Sequence, residues 1–226
     1  MKSLFFLALM LLSVSPFAAQ KSVDPAPGPV EKEPHHHTVL KNDSVLVMIA
    51  TVQPGEETLY HVHSYDRASV GLSTTNFTQQ KPDEPEGPAT PLKPGSISAS
   101  TLNGPPFIHR VHNLGPGVFE VLDVEFLQRP QQPSGSLAGP VAAENPSARI
   151  YSWTLAPGAS SPMHTHNRPY LIVAINKIPL KMTAQDGQSS SHEIQAGDFH
   201  WMDSKVTHSL TNEGTTEGQI VELELK

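Results

Sequence analysis

The stretch APGASSPMHTH, Ala156–His166, has a near copy earlier in the chain, QPGEETLYHVH, Gln53–His63. Each opens on a Pro-Gly turn and closes on a His-x-His pair. Alternate residues of a strand point the same way, so each pair presents two imidazoles to one face. The copies lie 103 residues apart, the spacing of Gly55 from Gly158 and of His61 from His164. A third histidine follows in both halves: His109 in PFIHRVHNLG and His208 in KVTHSLTNEG, whose asparagines, Asn113 and Asn212, are 99 apart. An internal duplication is the economical reading.

The surroundings predict an all-β protein. Twenty-two prolines and fifteen glycines in 226 residues disfavour long helices and favour short strands joined by turns. RIYSWTL places Tyr151, Trp153 and Leu155 on one face of a strand. IVELELK, the last seven residues, alternates Val221, Leu223 and Leu225 against Glu222, Glu224 and Lys226, which predicts a half-buried strand.

Organisation follows from composition. MKSLFFLALMLLSVSPFAAQK has an apolar run, Leu4 to Leu12, then small residues, the layout of a secretory signal peptide and too short a run to span a bilayer. Residues 1–19 are therefore expected to be a leader, 20–37 a flexible tail, 38–127 and 148–226 two β-rich domains, and 128–147 a Pro/Gly-rich linker. The expected location is secreted or periplasmic. Five prolines from Pro82 to Pro94 recur every three residues and read as an extended surface loop. With no cysteine, disulfides, thiolate ligands, cysteine nucleophiles and a lipidated cysteine are excluded. A net charge of -7 argues against nucleic acid and anionic lipid as partners.

Two same-face histidines on one strand plus a third from a neighbour form a facial set of neutral nitrogen donors for a divalent transition metal: iron, zinc, nickel, copper or manganese. The candidate ligands are His164, His166 and His208 in one half, and His61, His63 and His109 in the other. Arg67, four residues after His63, shares that face; pointing inward it opposes a dication, or pairs with a bound organic anion. Tyr170 is a candidate proton or hydrogen-bond donor, with packing as the plainer reading. His112 is expected on the exposed face, one of His200 and Trp201 in a pocket wall, and the run His35 to His37 as a loose metal binder.

These motifs resemble the two of the cupin superfamily, G-x5-H-x-H-x3,4-E-x6-G and G-x5-P-x-G-x2-H-x3-N. Gly158, His164, His166, Gly197, His208 and Asn212 follow that spacing, with Asp203 and Lys205 where the proline and glycine stand. Gly55, His61, His63, Gly95, His109 and Asn113 follow it with three extra residues before His109. The resemblance implies a secreted bicupin: two double-stranded β-helix (jelly-roll) barrels in tandem, each with a metal pocket, in a family whose members commonly form homo-oligomers. The family's glutamate position falls on Tyr170 and Arg67, so both sites are expected to lack the usual fourth ligand. The implied activities are an iron(II)-type oxygenase acting on a small bidentate organic anion, or a non-catalytic module binding a small molecule or metal.

Overall fold

A computed structural model of the chain describes residues 25–129, 139–203 and 205–226. The expected leader and the middle of the expected linker lie outside the described residues. The regular secondary structure of the described residues is all strand apart from one 3-10 turn at Val30–Lys32.

Four sheets form two barrels. In the first, one sheet runs in the order Gly28–Pro29, His61–His63, Phe107–Gly115, Thr75–Gln80, Thr90–Leu92; the other runs His36–Lys41, Val45–Val52, Phe119–Phe126, Asp66–Gly71, Ile97–Ser100. In the second, one sheet runs Val141–Glu144, Ala148–Leu155, Gly218–Leu225, Tyr170–Ala174, Phe199–Met202; the other runs His164–His166, Val206–Asn212, Ile178–Ala184, Ser189–Ile194. Inside each barrel the two sheets meet through apolar side chains, among them Ala50, Val121, Leu92 and Val111 in the first and Trp153, Ile220, Leu180 and Leu210 in the second.

The duplication is repeated in atomic detail. Gly55 and Gly158 both take positive φ, 81° and 74°, which a side chain would strain. Their N–H groups donate to the carbonyls of Asn113 and Asn212, at 2.8 and 2.9 Å. Each asparagine then locks its own turn: Asn113 Nδ2 donates to the Val52 and Gly117 carbonyls, and Asn212 Nδ2 to those of Leu155 and Thr216. Equal turns set equal registers, so His61 faces His109 and His164 faces His208 across paired strands.

One core joins the barrels. The outward faces of the sheets holding Phe119–Phe126 and Gly218–Leu225 pack against each other, bringing Val47, Val70 and Leu122 together with Ile150, Leu171 and Leu223. Each such side chain, fully buried, contributes roughly 1.5–3 kcal/mol. The strand Gly218–Leu225 is thus not half-buried as its alternation predicts: Glu222 and Glu224 are as buried as Val221 and Leu223, because the polar face looks into the barrel.

Two segments expected to be loose are partly built in. Gly28–Pro29 pairs in parallel with His61–Val62, and Val30 packs on Leu46 and Met48. In the expected linker, Val141–Glu144 adds an edge strand to Ala148–Leu155, and Ser147 bonds Asp66 of the first barrel at 2.7 Å. The proline-rich segment leaves the strand Thr75–Gln80 as a loop, is tied down by Glu86, which accepts from Thr78 and bonds His112, and ends in the strand Thr90–Leu92.

Candidate metal centre

His164 and His166 enter the second barrel from one short strand, and His208 from the strand beside it. The fourth group is Glu222, from the facing sheet. Ligand atoms of all four lie within 4.8 Å of one another, and all four residues are buried. One Glu222 oxygen is 3.3 Å from His164 Nε2, and the other is 3.3 Å from both His166 Nε2 and His208 Nε2. The carboxylate therefore faces three converging nitrogens.

The usual glutamate is absent from the position after the His-x-His pair in both halves, but in the second barrel a carboxylate not among the expected ligands, Glu222, supplies the acid from the last strand. A signal was present: Asp123 and Glu222 stand 99 apart, the spacing of Asn113 and Asn212. An acid retained at one position in both copies, on a strand that closes the barrel, is a candidate ligand.

The donors suit a cation. His164 Nδ1 lies 2.9 Å from the Pro162 carbonyl, so Nδ1 carries the proton and Nε2 presents its lone pair inward. Nε2 of His164 and of His208 are buried with no hydrogen-bond partner, an expensive arrangement unless something coordinates them. Trp153 Nε1 donates to the Glu222 carboxylate at 2.6 Å and its ring stacks on His164. Burial raises the Glu222 pKa, but the three histidines outweigh it and hold the carboxyl well below its ordinary value. Burial likewise opposes a charged His164, yet Glu222 raises its pKa overall; at His208 burial wins and lowers it.

Tyr170, in the family's glutamate position, lies flat over His166 with ring centroids 3.6 Å apart. Its buried hydroxyl has no partner, and burial, then Glu222 and Glu224, push its ionisation up. It is a donor in waiting rather than a base. A cavity of about 390 Å³ lies in the same barrel, walled by Ile172, Leu180, Met182, Ile194 and Met202 with His200 at its edge.

The first barrel holds the same triad with different company. His61, His63 and His109 are buried, and their ligand atoms also lie within 4.8 Å of one another. Each Nδ1 has an acceptor: the Leu59 carbonyl at 2.9 Å, Glu125 at 3.0 Å and Gln79 at 3.0 Å, respectively. Arg67 does point inward, its Nη1 3.1 Å from His63 Nε2. Asp123, the counterpart of Glu222, is one methylene shorter; one of its oxygens is 3.9 Å from His63 Nδ1, on the ring's far side, and the other is buried without a partner. Burial, then neighbouring cations, lowers all three histidines, His61 to about 4. Burial raises Asp123, and burial together with Asp123 pushes Glu125 up to about 8.

The remaining histidines sort by register. His200 faces the second barrel's cavity, while Trp201 packs against the core between the barrels. His112 is half-buried, not exposed, because Glu86 reaches it at 2.8 Å. Of the run His35 to His37, His36 is buried on the first cavity, 4.6 Å from the His61 ring, and Glu33 bonds both His35 and His36. Held in that way, the run is part of a barrel wall and not a loose chelator.

No protein-family model matches the chain. Among curated proteins, the beta-alanine degradation protein BauB of Pseudomonas aeruginosa is 27% identical over 86 residues, 38% of this chain and 90% of that protein. Among solved structures, AerE from Microcystis aeruginosa aligns with a TM-score of 0.61 at 16% identity, over 89% of this chain and 98% of that one. A cupin 2 conserved barrel domain protein from Leptotrichia buccalis aligns at 0.54 and 10% identity, over 84% and 88%. The fold is that of the cupins. A salicylate 1,2-dioxygenase from Pseudaminobacter salicylatoxidans shares this cupin fold, with a TM-score of 0.57 at 11% identity over 86% of this chain and 77% of that one. At such identities the likeness carries the tandem cupin barrels and not an activity.

Proposed function

We propose that this chain is an exported metal-binding bicupin whose second barrel is an iron(II)-type oxygenase site for a small bidentate organic anion. The observation that carries the metal reading is the buried set His164, His166, His208 and Glu222, with two imidazole lone pairs that no protein donor satisfies. Three imidazoles with one carboxylate suit iron or manganese best among the candidates, since the oxygen donor adds hardness to the site. When bound, such a metal supplies the Lewis-acid and redox chemistry.

The protein's own residues do the rest. Glu222 cancels one of the two metal charges, leaving a net positive site that draws a mono-anion. Trp153 fixes the carboxylate, Tyr170 covers His166, and Ile172, Met182 and Met202 give the neighbouring cavity an apolar wall. Export rests on the leader-like first residues. The dioxygenase among the structural relatives supports an oxygenase reading for this fold.

A second reading, a non-catalytic binding module, is favoured by the cavity: none of the four donors lines its wall. One experiment separates the two. Protein purified without a histidine tag is expected to carry metal that is lost in His164→Ala and in Glu222→Ala, and to consume dioxygen with hydroxy acids, diketones or catechols only when iron(II) is supplied. Metal content that His164→Ala leaves unchanged would overturn the metal site. Retained metal with no dioxygen uptake on any of these anions would give the site to the binding module.

A further inference from the structure

The first barrel holds a cavity of about 310 Å³, at the lower end of the range of small-molecule pockets, roughly 300–1,000 Å³. His61, Arg67, His109 and Asp123 line it together with an apolar floor that includes Phe77 and Phe119. The second barrel's centre is closed by an acid that reaches three nitrogens. Here the equivalent acid is too short, and a guanidinium stands on His63 Nε2 at 3.1 Å. That contact occupies the lone pair a metal needs and sets a permanent cation beside it. The triad looks built for coordination, yet its fourth partner has the wrong sign.

The unpaired groups say what the cavity lacks. Arg67 lies over the Phe107 ring at 5.4 Å, and among the described residues it forms no ion pair with a carboxylate. One of its five N–H donors is used by His63; the others are free for an anion. Against this single donor group stand two orphaned acceptors. His61 gives its Nδ1 proton to the Leu59 carbonyl, so its buried Nε2 is a lone pair with no donor. One Asp123 oxygen is buried and equally unmatched. A ligand that satisfies all three has a carboxylate for Arg67, a hydroxyl that donates to His61 or Asp123, and an apolar body for the phenylalanines. Access exists: His63, Arg67, Gln79 and Ser98 also line an outer depression of about 730 Å³.

We propose that the first barrel is a metal-free binding site for a small hydroxy acid with an apolar body, anchored through its carboxylate by Arg67. The reading is independent of the metal in the second barrel. The probe is mandelate, titrated calorimetrically into the full chain, with phenylacetate, which lacks the hydroxyl, and mandelamide, which lacks the charge.

Mandelate is expected to bind, and each analogue to bind roughly 10-fold more weakly or worse. Arg67→Gln should weaken mandelate by a similar factor, whereas His208→Ala, which removes any mandelate held at the other barrel's centre, should leave one site of the same affinity. Since the analogues are tested on the unaltered protein, the outcome does not hang on whether Arg67→Gln folds. The proposal is overturned if mandelate fails to bind, if the analogues or Arg67→Gln bind as tightly, if His208→Ala abolishes binding, or if the unaltered protein holds a metal that His61→Ala removes.

Discussion

In the second barrel an acid reaches three imidazoles; in the first the equivalent acid stops short and a guanidinium reaches one of them, His63, instead. The backbone registers are the same, His61 opposite His109 and His164 opposite His208, so the scaffold is not what differs. Three of the side chains around the triads differ: Glu222 against Asp123, Tyr170 against Arg67, and Trp153, which holds Glu222, against Ala50. Tyr170 and Arg67 occupy the same place in the duplication, and each lies against the second histidine of its pair. A neutral ring there leaves the Nε2 atoms to a cation, while a charged one turns the same triad toward anions.

The comparison can be broken at several points. The largest effect is expected from Glu222→Ala, which should weaken metal binding by roughly 100-fold or more, read by competition with a chelator. Glu222→Asp imports the first barrel's shorter acid and should lie between that variant and the unaltered protein. The reverse experiment sharpens the contrast: Arg67→Tyr with Asp123→Glu should give the first barrel its own metal, seen as a rise in metal per chain by elemental analysis. No rise would mean that more than these two residues separates the sites.

Acid sensitivity has a source in the first barrel that lies outside its triad. Glu33, buried, is pulled down to about 2 against the burial that raises it, because His36, His35 and the Leu59 N–H bond its ionised form. A depressed carboxyl pKa adds stability that is complete above the ordinary value of 4.5 and is lost as pH falls toward 2. That difference corresponds to about 3 kcal/mol, so Glu33→Gln should lower neutral-pH stability by that order and flatten the acid limb of a urea-unfolding series. Trp153→Phe, which frees one Glu222 oxygen, should weaken metal about 10-fold and cost about 1 kcal/mol. His112→Ala, which removes a half-buried ring bonded to Glu86, should change stability by no more than about 1 kcal/mol and leave both sites intact.

The histidine spacing and the Pro-Gly turns made the duplication, the all-β class and both triads legible, because a period of two and a tight turn are local facts of the chain. Glu222 was not legible by the same means. Its strand alternates cleanly, and alternation says only that one face is polar, not whether that face meets water or the inside of a barrel. His36 was hidden for a related reason: three adjacent histidines read as a tail until Glu33 is seen to fasten them. Arg67 is expected on the face of its histidines because it follows His63 by four positions; it stands instead on the strand Asp66–Gly71 of the facing sheet and reaches His63 from across the barrel, with Asp123 lining the same cavity.

The apolar seam between the sheets of Phe119–Phe126 and Gly218–Leu225 has a constructional consequence. Either half expressed alone would carry an uncovered oily flank, and the surface that fits it best is another copy of the same sheet. The chain is in effect a dimer sewn into one polypeptide, its linker holding the two flanks at a high effective concentration. Once joined, the copies no longer had to be identical. Glu222 with Tyr170 on one side and Asp123 with Arg67 on the other can differ without either barrel losing the partner that keeps it folded.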